Sequence, residues 1–109
     1  MKLIVIVLNQ PERLNHLMDH LAGLGVEGAT VLESEGMGKI LSEDAGLVTR
    51  YGHLLSGVRP FNRTVLSVIP DDRMADLVLD SLQREVELVG SVGLAFSLPV
   101  DRLIQLRPL

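Results

Sequence analysis

The histidines of this chain offer the first candidate chemistry, because two of them are spaced for metal binding. The run His16-Leu-Met-Asp19-His20 places two imidazoles four residues apart, so one face of a helix could present both to a metal ion. No third ligand is apparent in the sequence, and a solvated helix face explains the run more simply. A metal site built on His16, Asp19 or His20 is therefore the alternative hypothesis.

Paired carboxylates and glycines give two further candidates. Asp71 and Asp72 could act as an acid-base pair, but they begin a predicted helix, where carboxylates cap the first turn and complement its dipole. Gly90 and Gly93 could present backbone amides to a phosphate, although no lysine follows them. No Gly-x-Ser-x-Gly motif or other set of nucleophile, base and oxyanion donor is visible. The sequence therefore predicts no catalytic residues and no enzyme.

The composition excludes several classes of partner and chemistry. The 109 residues predict one domain over residues 1–109, and 47% hydrophobic residues are enough for a core. The formal net charge of −4 and the few aromatic residues, one Tyr and two Phe, argue against nucleic-acid binding. Because the chain has no cysteine, disulfides, thiolate metal sites and thiol catalysis are excluded.

The hydrophobic segments are short. The longest unbroken apolar run, Leu3–Leu8, is far too short to span a bilayer. The N-terminal residues also lack the long apolar region and the cleavage site of a signal peptide. We therefore expect a cytoplasmic protein without membrane insertion.

The first third of the chain predicts a strand-helix-strand unit. The β-branched run Lys2–Leu8 is continuously apolar, which is typical of a central strand. A helix begins at Pro11 and carries an apolar stripe at helical spacing, and Gly23 and Gly25 stop it. A second strand follows at Ala29–Ser34.

The last part of the chain repeats this order. A third strand is predicted at Thr64–Ile69, followed by a helix that begins at Pro70-Asp71-Asp72. Its apolar stripe comprises Met74, Leu77, Val78, Leu82 and Val86. A fourth strand at Gly93–Leu98 and a short final strand at Leu103–Arg107 complete the pattern.

Two such units predict an α+β fold, a ferredoxin-like βαββαβ sandwich with a long loop between the second and third strands and a short C-terminal strand. Right-handed crossovers place both helices on one side of the sheet. The opposite face would then be apolar and bare, so we expect an oligomer.

The long loop, over about residues 39–62, is the predicted contact region. Gly36 and Gly38 stand at its foot, and Ser42–Tyr51 has moderate helical character. Long loops in small domains are usually functional or disordered. Arg59 and Arg63 on its return arm could meet an anionic ligand or shield an edge strand, and the sequence favours neither interpretation.

Several of these runs together resemble one family. They are Lys2-Leu-Ile-Val-Ile-Val7, Pro11-Glu-Arg-Leu14, the stretch from Gly25 to Gly38, Val68-Ile-Pro-Asp-Asp72 and Leu103-Ile-Gln-Leu-Arg107. They are similar to the opening and closing halves of PII signal-transduction proteins. The resemblance implies a homotrimer of ferredoxin-like subunits, a T-loop that contacts target proteins, and nucleotide binding between subunits.

The resemblance also implies site residues. A ligand, with ATP, ADP and AMP as candidates, would be bound by Thr30, Gly36, Gly38, Lys39, Gly93 and Arg107. The loop that binds the partner protein would include Tyr51, Arg59 and Arg63. No metal site is implied.

The chain departs from the family pattern at four positions. Leu94 and Gln105 replace a lysine and an arginine of the phosphate site, so two phosphate-neutralising groups are lost. Ile40 and Asn62 replace the glutamine and the lysine that would hold 2-oxoglutarate. These changes remove two cations of the phosphate site and the main anchors of 2-oxoglutarate.

The leading hypothesis is a PII-like regulator that senses a small ligand and signals through its loop to an unidentified enzyme or transporter, in nitrogen regulation. Ligand binding would shift the population of loop conformations. The alternative is a structural or metal-binding trimer similar to the CutA-type ferredoxin-like proteins.

Overall fold

A computed structural model describes residues 1–54, 61–85 and 93–106. The strands are β1 (Lys2–Leu8), β2 (Thr30–Glu35), β3 (Phe61–Ile69) and β4 (Leu94–Pro99). The helices are α1 (Leu14–Gly23), α2 (Met37–Ser42), α3 (Ala45–Tyr51) and α4 (Asp72–Arg84), with 3₁₀ turns at Pro11–Arg13 and Gly52–Leu54. Within these described ranges, no helix combines the length and apolar character that crossing a membrane requires.

The four strands form one antiparallel sheet in the order β2-β3-β1-β4. This order, with α1 and α4 as the crossovers, confirms the predicted α+β ferredoxin-like fold. The predicted final strand is wrong for residues 103–106, which adopt no regular structure. A strand exists only by hydrogen bonding to a neighbour, and within the described residues this segment pairs with none of the four strands. Arg107 lies outside the described residues.

One face of the sheet packs against α1 and α4 to form the core. Its buried side chains alternate along β1 and β3 and recur at helical spacing on the two helices. They are Ile4, Ile6, Leu8, Leu17, Leu21, Val65, Ile69, Ala75, Val78 and Leu82. Leu77 was predicted to join the apolar stripe, but it is 58% exposed because Ala75, Val78 and Leu82 define the buried face. Val86 lies outside the described residues.

The ends of the helices confirm two expectations from the sequence. Asp71 is the N-cap of α4, and its Oδ1 accepts a hydrogen bond from the amide of Arg73 at 2.9 Å. Gly25, with φ +96°, turns the chain after α1 in a conformation that other residues rarely adopt. Asp72 forms an ion pair with the N-terminal ammonium at 2.6 Å, and this hydrogen-bonded charge lowers the pKa of its carboxyl.

The opposite face of the sheet is apolar, and nothing in the chain's described residues packs over β4 on that side. The register places Leu94, Phe96 and Leu98 across from alternate residues of β1. Their exposed fractions are 52%, 43% and 46%. An exposed apolar face of this kind marks an interaction surface.

The segment between β2 and β3 is more ordered than the sequence indicates. The predicted helix at Ser42–Tyr51 is confirmed as α3, which begins at the N-cap Asp44. The helix α2 was not predicted. Because β3 begins at Phe61, the predicted loop end at residue 62 is wrong, and residues 55–60 lie outside the described residues.

A substitution at Leu17 tests whether the core has been assigned correctly. It is fully buried between α1 and the sheet, so Leu17→Ala should lower the free energy of unfolding by about 2–5 kcal/mol. Urea denaturation at one fixed protein concentration measures the change. The matched Leu77→Ala variant on the exposed side of α4 should stay within about 0.5 kcal/mol of the wild type. Equal losses in both variants would contradict this core.

Candidate ligand site and loop base

The predicted ligand residues lie at opposite ends of the sheet. Thr30 is the first residue of β2, and Gly36 follows its last residue. At about 3.3 Å per residue, these two positions are about 20 Å apart. Gly93 precedes Leu94, which pairs with Val7 near the end of β1, and so lies at the Gly36 end but at the other edge of the sheet. One chain therefore does not bring these residues together.

A groove of about 960 Å³ opens at the Thr30 end. Its walls are the turn before β2, the uncovered side of β3 and the segment after β4. They include Gly28, Thr30, Leu66, Val68, Leu103 and Gln105. Ser67 donates a hydrogen bond of 2.6 Å to the carbonyl oxygen of Gly28 and so fixes the turn that leads into β2. Of the predicted ligand residues, the groove contains Thr30.

A neutral polar network ties the strands together beneath the loop. The Ser34 hydroxyl contacts the Asn62 Oδ1 atom and lies 2.8 Å from the Thr64 hydroxyl. The amide of Asn62 also donates to Asn9 Oδ1 at 3.5 Å, which links the network to the end of β1. Asn62 is 6% exposed, so its hydrogen bonds are needed to offset its desolvation. Sequence reasoning missed this network, although Asn62 and Thr64 alternate along one strand.

Lys39 joins the two arms of the loop. Its ammonium forms an ion pair with Glu43, the C-cap residue of α2, four residues further along the chain. The same nitrogen lies 5.5 Å from the centroid of the Phe61 ring, where β3 begins. The Lys39 side chain is 19% exposed. Its charge is therefore engaged by the chain itself, and we call Lys39, Glu43 and Phe61 the loop clasp.

The residues predicted to contact a partner protein are dispersed. Tyr51 ends α3, where the Arg50 guanidinium lies 5.9 Å from the centroid of its ring. Arg63 is a strand residue rather than a loop residue, and its guanidinium lies 3.5 Å from a carboxylate oxygen of Glu33 on the edge strand β2. Arg59 lies outside the described residues.

His20 connects α1 to α4. Its Nε2 atom lies 2.6 Å from the Ser81 hydroxyl, and its Nδ1 atom lies 3.9 Å from a Glu85 carboxylate oxygen. The contacts run from a serine hydroxyl through an imidazole to a carboxylate, as they do in the catalytic triad of a hydrolase. Ser81 is only 6% exposed within α4, however, and is therefore shielded from a substrate. The three residues therefore form a bridge between the helices.

Within the described residues, the fold brings no further metal ligand to the predicted site at His16, Asp19 or His20. His16 and Asp19 are exposed on α1, whereas His20 turns toward α4. In the part of the chain that the structure describes, no group of three or more His, Cys, Asp or Glu side chains could hold a metal ion.

A comparison with protein families identifies the chain. The family model of the nitrogen regulatory protein P-II matches residues 1–109. The chain belongs to the P-II family. It is therefore a regulatory signal-transduction protein, from a family of regulators rather than enzymes.

A solved structure shows the same fold. A PII-like signaling protein from Thermus thermophilus is similar with a TM-score of 0.59 and 18% sequence identity. The similarity covers 88% of this P-II chain and 80% of the other chain. A search among curated proteins gives no match. The resemblance seen in the sequence is thus confirmed at the level of the family and the fold.

The loop clasp of this P-II protein can be tested by limited proteolysis. Glu43→Gln removes the ion pair of Lys39, so trypsin should cleave after Lys39 about two- to fivefold faster, the factor that corresponds to about 0.5–1 kcal/mol of lost local stability. Mass spectrometry of the early fragments measures the rate. Asp80→Asn, an exposed change on α4, is the control and should leave the rate unchanged. An unchanged rate in Glu43→Gln would show that the pair does not hold the loop.

Proposed function

We propose that this P-II protein is a non-catalytic homotrimeric regulator. A small ligand of the adenine nucleotide class, with ATP, ADP and AMP as candidates, binds between subunits. The loop between β2 and β3 then signals to a target protein, an enzyme or a transporter, in nitrogen regulation. We expect this regulator to act in the cytoplasm.

The observation that carries the proposal is the separation of the two groups of ligand residues across an uncovered apolar face. Thr30 lies in the groove at one end of the sheet, and Gly36, Gly38 and Lys39 follow β2 at the other end. Copies that pack through the apolar face can place the groove of one subunit beside the loop base of the next. A closed ring repeats that heterologous contact at every interface.

The loop carries features of a partner surface. Met37 and Ile40 on α2 are 68% and 56% exposed, and Val48 on α3 is 39% exposed. Met37 and Ile40 lie on the same short helix as Lys39, the predicted ligand residue of the loop clasp. A ligand that favours one state of the clasp would change how these side chains are presented to a target. Ligand binding and partner binding are thereby coupled through a few residues.

The oligomeric state tests the first part of the proposal. Phe96→Asp places a charge in the middle of the exposed apolar row of β4, so it should dissociate the trimer into monomers. Size-exclusion chromatography with light scattering measures the mass. Leu77→Asp, an equal change at an exposed site on α4, should leave the trimer intact. A monomeric wild type, or a trimeric Phe96→Asp variant, would contradict the proposed assembly.

Mixed trimers test whether the ligand site is shared between subunits. Thr30→Tyr should block the groove, and Gly36→Leu should block the loop base, where the backbone is extended and accepts a side chain. Each variant alone should lose binding of ATP, ADP and AMP in calorimetric titrations. Refolding the two variants together should restore roughly one site in four, as random assembly of a closed ring requires. No recovery in the mixture would contradict a shared site.

A further inference from the structure

We infer that the groove at the Thr30 end selects a ligand without phosphate, a neutral or cationic molecule of nucleoside size. This inference rests on the proposed function, because it concerns the groove half of the same inter-subunit site. It replaces the adenine nucleotide of the proposed function with a nucleoside or a similar neutral or cationic molecule. We assign this selectivity to Gln105.

The charge of the groove wall is the first reason. Among its described lining residues, the ionisable side chains are the carboxylates Glu27 and Asp71, and there is no Lys, Arg or His. A phosphate monoester carries about −1.5 to −2 charges at neutral pH and is usually held by cationic side chains or free backbone amides. Placed in this groove, it would face two like charges and no described cation.

The positive groups around Asp71 and Asp72 are already paired. The N-terminus of α4 borders the groove, but the Asp71 side chain accepts from the Arg73 amide, and Asp72 adds a second carboxylate to the first turn. The N-terminal ammonium is bound to Asp72, and Lys2 acts on the same carboxylate. Neither of these cations lines the groove. The positive end of the helix dipole is therefore not free for an anion.

The remaining groups suit an uncharged molecule. Leu66 and Val68 provide an apolar wall, while the Thr30 hydroxyl and the Gln105 amide can donate and accept hydrogen bonds. The volume of about 960 Å³ falls within the range of small-molecule sites. Gln105 donates only neutral hydrogen bonds, which favour a hydroxyl or a ring nitrogen over a phosphate.

Adenosine, AMP, ADP and ATP form a probe series that differs in the number of phosphates. Isothermal titration of the wild-type full chain at constant ionic strength should give the tightest binding for adenosine and about tenfold weaker binding for ATP, because like charges oppose it. Tighter binding of ATP than of adenosine would overturn the inference and leave the proposed nucleotide-sensing function standing. Failure of all four probes to bind would overturn both.

Gln105→Arg tests the assigned residue. A guanidinium in the groove wall should raise the affinity for ATP about tenfold relative to the affinity for adenosine, and this gain should fall as salt is raised. Gln83→Arg adds the same charge at an exposed site on α4 and should leave the order of affinities unchanged. Equal effects of the two substitutions would overturn the role of Gln105. Tight wild-type binding of ATP that Arg107→Gln abolishes would place the phosphate site at Arg107 and overturn the inference.

Discussion

The whole arrangement depends on the hand of two crossover connections. Because strand-helix-strand crossovers are right-handed, α1 and α4 cover the same face of the sheet. The other face is left with a row of apolar side chains centred on Phe96. The described elements leave the side chains of this row exposed. The proposed assembly and the proposed shared site both follow from this asymmetry.

The two ends of the sheet have different chemical characters. At one end, the groove is bounded by a turn that Ser67 fixes and by carboxylates rather than cations. At the other end, a neutral network around Asn62 holds the strands while the charge of Lys39 is engaged by Glu43 and Phe61. A ligand at an interface between subunits would touch both kinds of surface. The loop clasp is then the element through which binding in the cleft reaches the exposed side chains of α2 and α3.

Much of the fold could be predicted from residue patterns. The β-branched runs predicted the four strands, and the 3.6-residue stripes predicted α1 and α4. An aspartate of the pair Asp71-Asp72 was predicted as the N-cap of α4, and the structure identifies it as Asp71. Errors arose where a local pattern did not decide the outcome. Leu77 fits an apolar stripe but lies outside the arc that faces the sheet, and residues 103–106 have strand composition without a pairing partner. The helix α2 was missed because six residues carry too little periodicity.

The sequence by itself determined the family and the order of the elements, since these depend on residue identity and local spacing. The tertiary structure decided which residues meet. It separated Thr30 from Gly36, placed Arg63 beside Glu33 and brought His20 to Ser81. Such contacts depend on strand register and on how the helices pack, and a shift of one residue would turn each strand side chain to the opposite face. Spacing along the chain therefore indicated which residues could belong to a site. The packing of strands and helices decided which of these residues contact one another.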